Sequence, residues 1–389
     1  MITFLLLIVI YLSFISLGLP DSLLGSAWPA MYTSLNVPLH FAGIISMIAA
    51  GGTVISSVFS ERVIRRFGTG VVTLVSVFMT AAALIGISFS GSVVFIILCA
   101  IPLGLGAGSV DAALNNYVAL HYKARHMSWL HCFWGIGASV GPLIMSFYLT
   151  NSNSWNSGYR AISVIQFSLV LILFLSLPLW KKNKIDNNES AKSSPSFKEI
   201  FSVIGVKPAL AAFFCYCALE TVAGLWGASF LVMEKNMTPQ EAAKWIALFY
   251  IGITAGRFIS GFITMALNNK QMIRLGQIII GCGIVTLVLP FENSSLPGLF
   301  LIGLGCAPIY PSMLHETPQN FGREYSQAIM GIQMGSAYVG TTIMPLVFGW
   351  FTSFTSFKIF PVFIGLILVF NIILIETVNR KITRKSSSQ

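Results

Sequence analysis

Apolar residues run through long stretches of this chain, and polar residues are confined to short breaks between them. The first run, "FLLLIVIYLSFISLGL" at 4–19, lacks the polar alternation that marks the ~10-residue strands of an outer-membrane barrel. Its length suits a helix, which needs ~20 residues to cross a bilayer. Continued along the chain, the pattern predicts twelve helical spans, at 3–33, 39–60, 68–89, 92–121, 128–150, 158–180, 205–232, 239–266, 270–290, 296–318, 326–350 and 356–378. The first run has no basic leader and no small-residue cleavage signal, and it continues into "PDSLLGSAWP", so it reads as helix 1 and not as a signal peptide. The longest polar stretch, "KKNKIDNNESAKSSPSFKE" at 181–199, is too rich in Lys, Asn and Ser to bury a core. It divides the chain into an N-terminal six-helix bundle (1–180), a cytoplasmic linker (181–204), a C-terminal six-helix bundle (205–378) and a cytoplasmic tail (379–389). The expected fold is therefore an all-α membrane protein of two pseudo-symmetric halves.

Composition agrees. The chain is 55% hydrophobic and only 9% charged, against about 25% charged residues in a soluble domain, which excludes a water-soluble enzyme. Its net charge of +10 resembles a nucleic-acid signature until the basic positions are plotted. One set of loops and the C-terminus hold Arg62, Arg65, Arg66, Lys123, Arg125, Lys181, Lys182, Lys184, Lys192, Lys198, Lys270, Arg274, Arg323, Arg380, Lys381, Arg384 and Lys385, and the other set holds only Arg160, Lys235, Lys244 and Lys358. The positive-inside rule then puts both termini in the cytoplasm, in a bacterial inner or plasma membrane. The charge is spent on topology and implies no nucleic-acid partner. The six cysteines show no C-x-x-C pair and no adjacent His cluster, and they read as packing residues. No nucleophile–base motif or metal-ligand spacing appears in the spans, so neither an enzyme, a metal nor a cofactor is expected.

A weak repeat near 200 residues relates the halves. Gly52 matches Gly252, "GLG" at 104–106 matches 303–305, "GI" at 135–136 matches 331–332, and "VG" at 140–141 matches 339–340. Duplicated halves are a transporter layout with the substrate site between them at the midplane. "GLGAGS" (104–109) and "GIGASVGP" (135–142) supply the small faces that let helices approach in lipid. Gly137, Gly141 and Pro142 are candidates for a bend in helix 5, where proline removes a helix hydrogen bond.

Ionisable groups at membrane depth are costly and mark pathways. Asp21 lies in helix 1, Asp111 in helix 4, Glu220 in helix 7 and Arg257 in helix 8; His131, His315 and Glu316 lie nearer helix ends. A carboxylate taken out of water is what a proton-driven carrier loads and unloads. Glu220 and Arg257 also fit a structural ion pair between neighbouring helices. Asn115, Asn116, Gln333, Tyr310 and Tyr338 offer hydrogen bonds to a hydroxyl-rich solute, and Trp28, Trp134 and Trp226 offer stacking faces. Helices 1, 4, 7 and 10 are expected to line the substrate cavity.

The strings "GLPDSLLGSAWP" (18–29), "VDAALNNY" (110–117) and "HCFWGIGASVGP" (131–142) resemble the fucose–galactose–glucose:proton symporter branch of the major facilitator superfamily. Asp21 matches its helix-1 acid, and Asp111 with Asn115 matches its helix-4 acid followed by Asn. The resemblance implies proton-coupled uptake of a monosaccharide by alternating access, with Asp111 and Asp21 handling proton and sugar; Glu220 joins them as a proton-coupling candidate through its place in the membrane. Asp21, Asn115, Asn116, Trp226, Tyr310, Gln333 and Tyr338 become substrate candidates. There are departures: Asn116 stands where the branch commonly has Pro, and the helix-4 acid is Asp where it is often Glu. Gly52 through Arg62 and Arg66 to Gly68 partly match the superfamily's helix 2–3 loop signature without its Asp. Arg62, Arg66 and Arg257 join the helix-5 residues as structural or gating candidates. A monomer in the lipid bilayer, moving a small solute and protons, is the expected unit. The alternative is a carrier of a larger amphipathic compound such as a drug, siderophore or metabolite, which 30 Phe and 14 Met would suit.

Overall fold

The computed structural model describes residues 2–122, 124–180, 197–264, 266–291 and 294–387. Apart from two short 3-10 turns, its regular elements are α-helices: α1 (Ile2–Asp21), α2 (Leu23–Ser34), α3 (Phe41–Phe67), α4 (Thr69–Ser88), α5 (Val93–His121), α6 (Ala124–Ser152), α7 (Trp155–Ser176), α8 (Phe197–Ser202), α9 (Val206–Lys235), α10 (Pro239–Ile263), α11 (Asn269–Val288), α12 (Ser295–Cys306), α13 (Ile309–Phe321), α14 (Arg323–Thr352) and α15 (Phe360–Ser387). Among the described residues ten helices are long and apolar enough to cross a membrane. Two of the twelve expected spans fall outside that count. The span at 39–60 is apolar only over Phe41–Ser57, because α3 continues through the polar "SERVIRRF" to Phe67. The span at 326–350 lies on α14, where Gln333, Ser336, Tyr338 and Thr341 interrupt the apolar run. The final helix runs to Ser387, so residues 379–387 extend α15 instead of forming a separate tail. Most of the linker, 181–196, lies outside the described residues.

Two expected spans are broken in the middle. Helix 3–33 divides into α1 and α2 at Ser22, just past Pro20. Pro20 has no N–H for the Ser16 carbonyl four residues back, and that carbonyl accepts instead from Gln166 Nε2 on α7. Helix 296–318 divides into α12 and α13 at Ala307 and Pro308. The Cys306 carbonyl at that break accepts from the Tyr216 hydroxyl at 2.8 Å. In both cases a side chain from a neighbouring helix satisfies a backbone acceptor that lipid could not.

The chain forms two compact units, one of residues 1–185, 224–250 and 349–357, the other of residues 186–223, 251–348 and 358–389. Glycines hold the helices of the first unit close. A Cβ at Gly104 would lie 1.9 Å from the Ala49 carbonyl oxygen, and one at Gly108 would lie 2.3 Å from that of Thr53, so α3 and α5 meet backbone to backbone. The second unit repeats these contacts: Gly252 on α10 abuts Phe300 and Leu304 of α12 much as Gly52 on α3 abuts Ile101 and Leu105 of α5. Gly305 presses on the Gly276 carbonyl as Gly106 presses on that of Ser76. The sequence repeat is thus a repeat of helix–helix contacts. Each unit also carries a buried amide linking its helices: Gln166 accepts from Ser16 Oγ in the first, and Asn371 accepts from Gln277 Nε2 and donates to the Ala212 carbonyl at 2.9 Å in the second.

Candidate functional site

In the first unit, α1 ends on Asp21 at the Pro20 break, which leaves this carboxylate exposed at a helix terminus. Trp134 of α6 donates its indole Nε1–H to Asp21 Oδ2 at 2.7 Å. Asp111 lies on α5, partly buried, and Asn115 one turn on donates Nδ2 to Asp111 Oδ1 at 2.8 Å and to its carbonyl at 3.0 Å. That leaves the Asn115 side-chain oxygen as an acceptor on the same helix face as the acid. The two carboxylates belong to the same unit. Among the described residues neither forms an ion pair. The side chain of Asn116, the other amide candidate, lies outside the described residues.

Trp134 entered the sequence reading as a stacking face, and its hydrogen bond to an acid went unforeseen. Its position beside the "GIG" run was the available signal, since that run is where α6 meets α1. A Cβ at Gly137 would sit 2.0 Å from the Ile15 carbonyl oxygen, and one at Gly18 would sit 2.1 Å from that of Trp134. Gly141 abuts Ser22 and Leu19, and α6 runs unbroken through Pro142. Gly137 and Gly141 therefore seat α6 against the acid-bearing helix.

The second unit holds the compensated charges. Glu220 on α9 and Arg257 on α10 stand 4.0 Å apart, each side chain about a fifth exposed, at 22% and 23%. In the same unit Tyr310 sets its ring edge-on to Phe213 at 5.5 Å and tilted to Tyr216 at 6.1 Å, and its hydroxyl contacts Met334 Sδ. Gln333 is buried and accepts from Thr317 at 2.9 Å, which ties α13 to α14. Tyr338 is partly buried on α14. Glu316, which sequence placed at an interfacial helix end, is buried and accepts from Asn269 at 3.2 Å, beside the Asn269–His315 contact at 3.0 Å.

The remaining candidates belong to other surroundings. Trp226 falls in the first unit, fully buried against Phe357 and Gly349. Trp28 is equally buried and donates to the Leu39 carbonyl at 2.7 Å. Arg62 and Arg66 are exposed at the end of α3, their guanidinium groups over Phe59 and Phe67. No group of three or more metal-capable side chains forms among the described residues.

Broken membrane-crossing helices bearing acids, within units that repeat one another's contacts, define a polytopic carrier. The sequence pattern of the Major Facilitator Superfamily matches residues 10–314 and 209–388, and the chain belongs to that family. It is a multi-pass membrane transporter of small molecules, not an enzyme. It is 22% identical over 354 residues to the glucose/mannose transporter GlcP of Bacillus subtilis, spanning 87% of this chain and 86% of that one. It is 23% identical over 165 residues to the 4-hydroxybenzoate transporter PcaK of Acinetobacter baylyi, spanning 41% and 36%. Among solved structures, the fold is similar to a bacterial homologue of the human lysosomal transporter Spinster in an inward-facing, unoccupied conformation (TM-score 0.75, 11% identity, 98% of each chain). It is also similar to the nucleoside transporter NupG (TM-score 0.73, 14% identity, 96% of this chain and 98% of that one).

Proposed function

We propose that the protein is a proton-coupled importer of a monosaccharide or similar small polar solute, working by alternating access between two six-helix halves, 1–180 and 205–378. The observation that carries this reading is the carboxylate pair of the first unit. Two acids of one unit are each held by a neutral donor and, among the described residues, by no cation. Such a pair takes up a proton in place of a counter-ion. Asp111 is the proton carrier, because Asn115 bridges its carboxyl group and leaves an acceptor for a sugar hydroxyl. Asp21, at the end of a broken helix, holds substrate. Glu220 stands third, since Arg257 already balances its charge. The similarity to a glucose/mannose transporter supports the sugar class. The basic loops support a cell-membrane orientation with both termini cytoplasmic, and a single chain serves as the working unit.

The test is uptake into proteoliposomes of a panel of hexoses and deoxyhexoses under an imposed pH gradient. Accumulation of one of them, with proton entry, is expected. Gradient-insensitive transport of every panel member would overturn the reading. A second reading is transport of an amphipathic aromatic acid, favoured by one unit holding both Arg257 and the clustered Phe213, Tyr216 and Tyr310 rings. Competition by hydroxybenzoates, with none by hexoses, would select it.

A further inference from the structure

Asp111 and Asp21 differ in where their partners come from. Asn115 sits on the same helix as Asp111 and travels with it. The partner of Asp21 comes from another helix, at 2.7 Å. An indole N–H donates and never accepts, so it serves a carboxylate oxygen and offers nothing to a carboxyl O–H. The approach of the two helices holds that donor in place. Gly18, three residues before Asp21, leaves no room for a Cβ between α1 and the Trp134 carbonyl, and Gly137, three residues after Trp134, leaves none against Ile15. Asp21 lies at the Ser22 break and is exposed, so its own helix does little to restrict its rotamers.

Among the described residues, α9 packs on the next turn, with Gly224 and Leu225 against Gly25 of α2 and the Tyr250 hydroxyl of α10 at Gly224. On α6, His131 meets Phe14 edge-on at 5.9 Å and His126 meets the Tyr11 hydroxyl at 2.9 Å, both further toward the start of α1. On α7, Gln166 engages Ser16, and Tyr159 and Arg160 lie near the opposite end of the unit, with Arg160 over Phe89. On α5, Asp111 is the charged group within reach, and α4 carries no ionisable residue. On α2 the ionisable group is Tyr32, near its far end.

We propose that Trp134 is a positioning residue of the coupling site, its indole N–H on α6 fixing the orientation of the Asp21 carboxylate and linking the protonation of Asp21 to the α1–α6 contact. The proposal deepens the proton-coupled reading and rests on it for its role in transport. The hydrogen bond itself can be tested without any substrate. Infrared pH titration of the purified full-length protein follows the carboxylic C=O band, with Asp21→Asn identifying the Asp21 contribution. Trp134→Phe, which keeps a ring and removes the N–H, should move that band's frequency and displace its titration midpoint by about one pH unit, the size of a lost hydrogen bond to a charged group. Trp134→Tyr, which also lacks the indole N–H, serves as the second variant if Trp134→Phe does not fold. In proteoliposomes Trp134→Phe should accumulate hexose about tenfold less under a pH gradient, and solute exchange should slow with it, because Asp21 also holds the substrate. An unaltered Asp21 band and midpoint overturn the proposal, even if transport falls, because Trp134 would then act only in packing. A shifted band in a protein that accumulates no hexose upholds the Trp134–Asp21 link and sinks the proton-coupled sugar reading instead.

Discussion

The two units treat their membrane charges in opposite ways. In the first, Asp21 and Asp111 are held, among the described residues, by an indole and an amide and by no cation. In the second, Glu220 has Arg257 at 4.0 Å. There the carboxylate and its cation balance one another. A carboxylate without a cation can take up a proton in place of a counter-ion. The difference suggests a division of labour in which the first unit couples to protons and the second supplies a balanced polar surface.

The largest expected effect is on coupling. With 100 mV and one pH unit, proton symport supports about a several-hundredfold solute gradient. Asp111→Asn, which fixes a neutral side chain, should reduce that to near unity while leaving solute exchange intact. Glu220→Gln should keep gradient-driven accumulation and instead lower stability by about 1–2 kcal/mol, since it removes the negative charge 4.0 Å from a partly buried arginine. Paired measurement of proteoliposome accumulation and detergent thermal unfolding checks both. If Glu220→Gln abolishes accumulation and Asp111→Asn does not, the division is reversed.

The uncompensated acids were legible in the sequence because charged residues stand out against apolar spans, and Asp111 and Asn115 are separated by one helical turn. The break after Asp21 falls just past Pro20, inside a span expected to run unbroken from 3 to 33. The division of helix 296–318 at Ala307 and Pro308 was not foreseen, although Pro308 was visible, because the hydropathy pattern continues across it. The overrun of α3 into "SERVIRRF" was hidden for the converse reason: helical hydrogen bonding continues beyond the apolar segment that lipid requires. Trp134 was misjudged because an aromatic ring in a membrane sequence suggests stacking or an interface, and only the meeting of α1 with α6 turns its N–H toward Asp21. The burial of Trp226 and Gln333 likewise depends on contacts between helices distant in sequence.

The next effect tests the seating of the first unit's acids. A Cβ at Gly18 would meet backbone at 2.1 and 2.7 Å, and backbone has nowhere to go. Gly18→Ala should therefore cost about 2–3 kcal/mol through overpacking and, by prising α6 from α1, reproduce the infrared change expected of Trp134→Phe. Gly51→Ala is the control: nothing lies within 4 Å of its Cβ position, and Ala is favoured over Gly in a helix by about 0.5–1 kcal/mol. Equal thermal stability of the two variants would mean that α1 and α6 have slack, and the indole is then not held rigidly.

Asn115→Ala comes next. It removes the bridge from Asp111 and leaves a carboxylate with one donor fewer, so solute binding should weaken by about 1–3 kcal/mol. Equilibrium binding of the transported hexose to purified protein measures it. An unchanged dissociation constant would remove Asn115 from the substrate site and weaken the case for Asp111 over Asp21 as proton carrier.

The smallest expected effect concerns the salt bridge with the best geometry. Arg274 donates Nε and Nη2 to the two oxygens of Glu376 at 2.7 and 2.9 Å, a bidentate pair far tighter than Glu220–Arg257. Its side chains are 54% and 32% exposed, however, against 23% and 22% for Arg257 and Glu220. Water competes for every hydrogen bond that Arg274 makes, and salt screens what remains. Arg274→Ala should accordingly cost only about 0.5–1 kcal/mol, and less at high ionic strength. For Glu220→Gln the balance differs: the arginine left behind has little water to turn to, so a looser pair carries the larger penalty. Thermal unfolding of the two variants at low and high salt compares them directly. If Arg274→Ala proves the more damaging, contact geometry outweighs desolvation here, and the contrast between the balanced and unbalanced charges of the two units loses its physical basis.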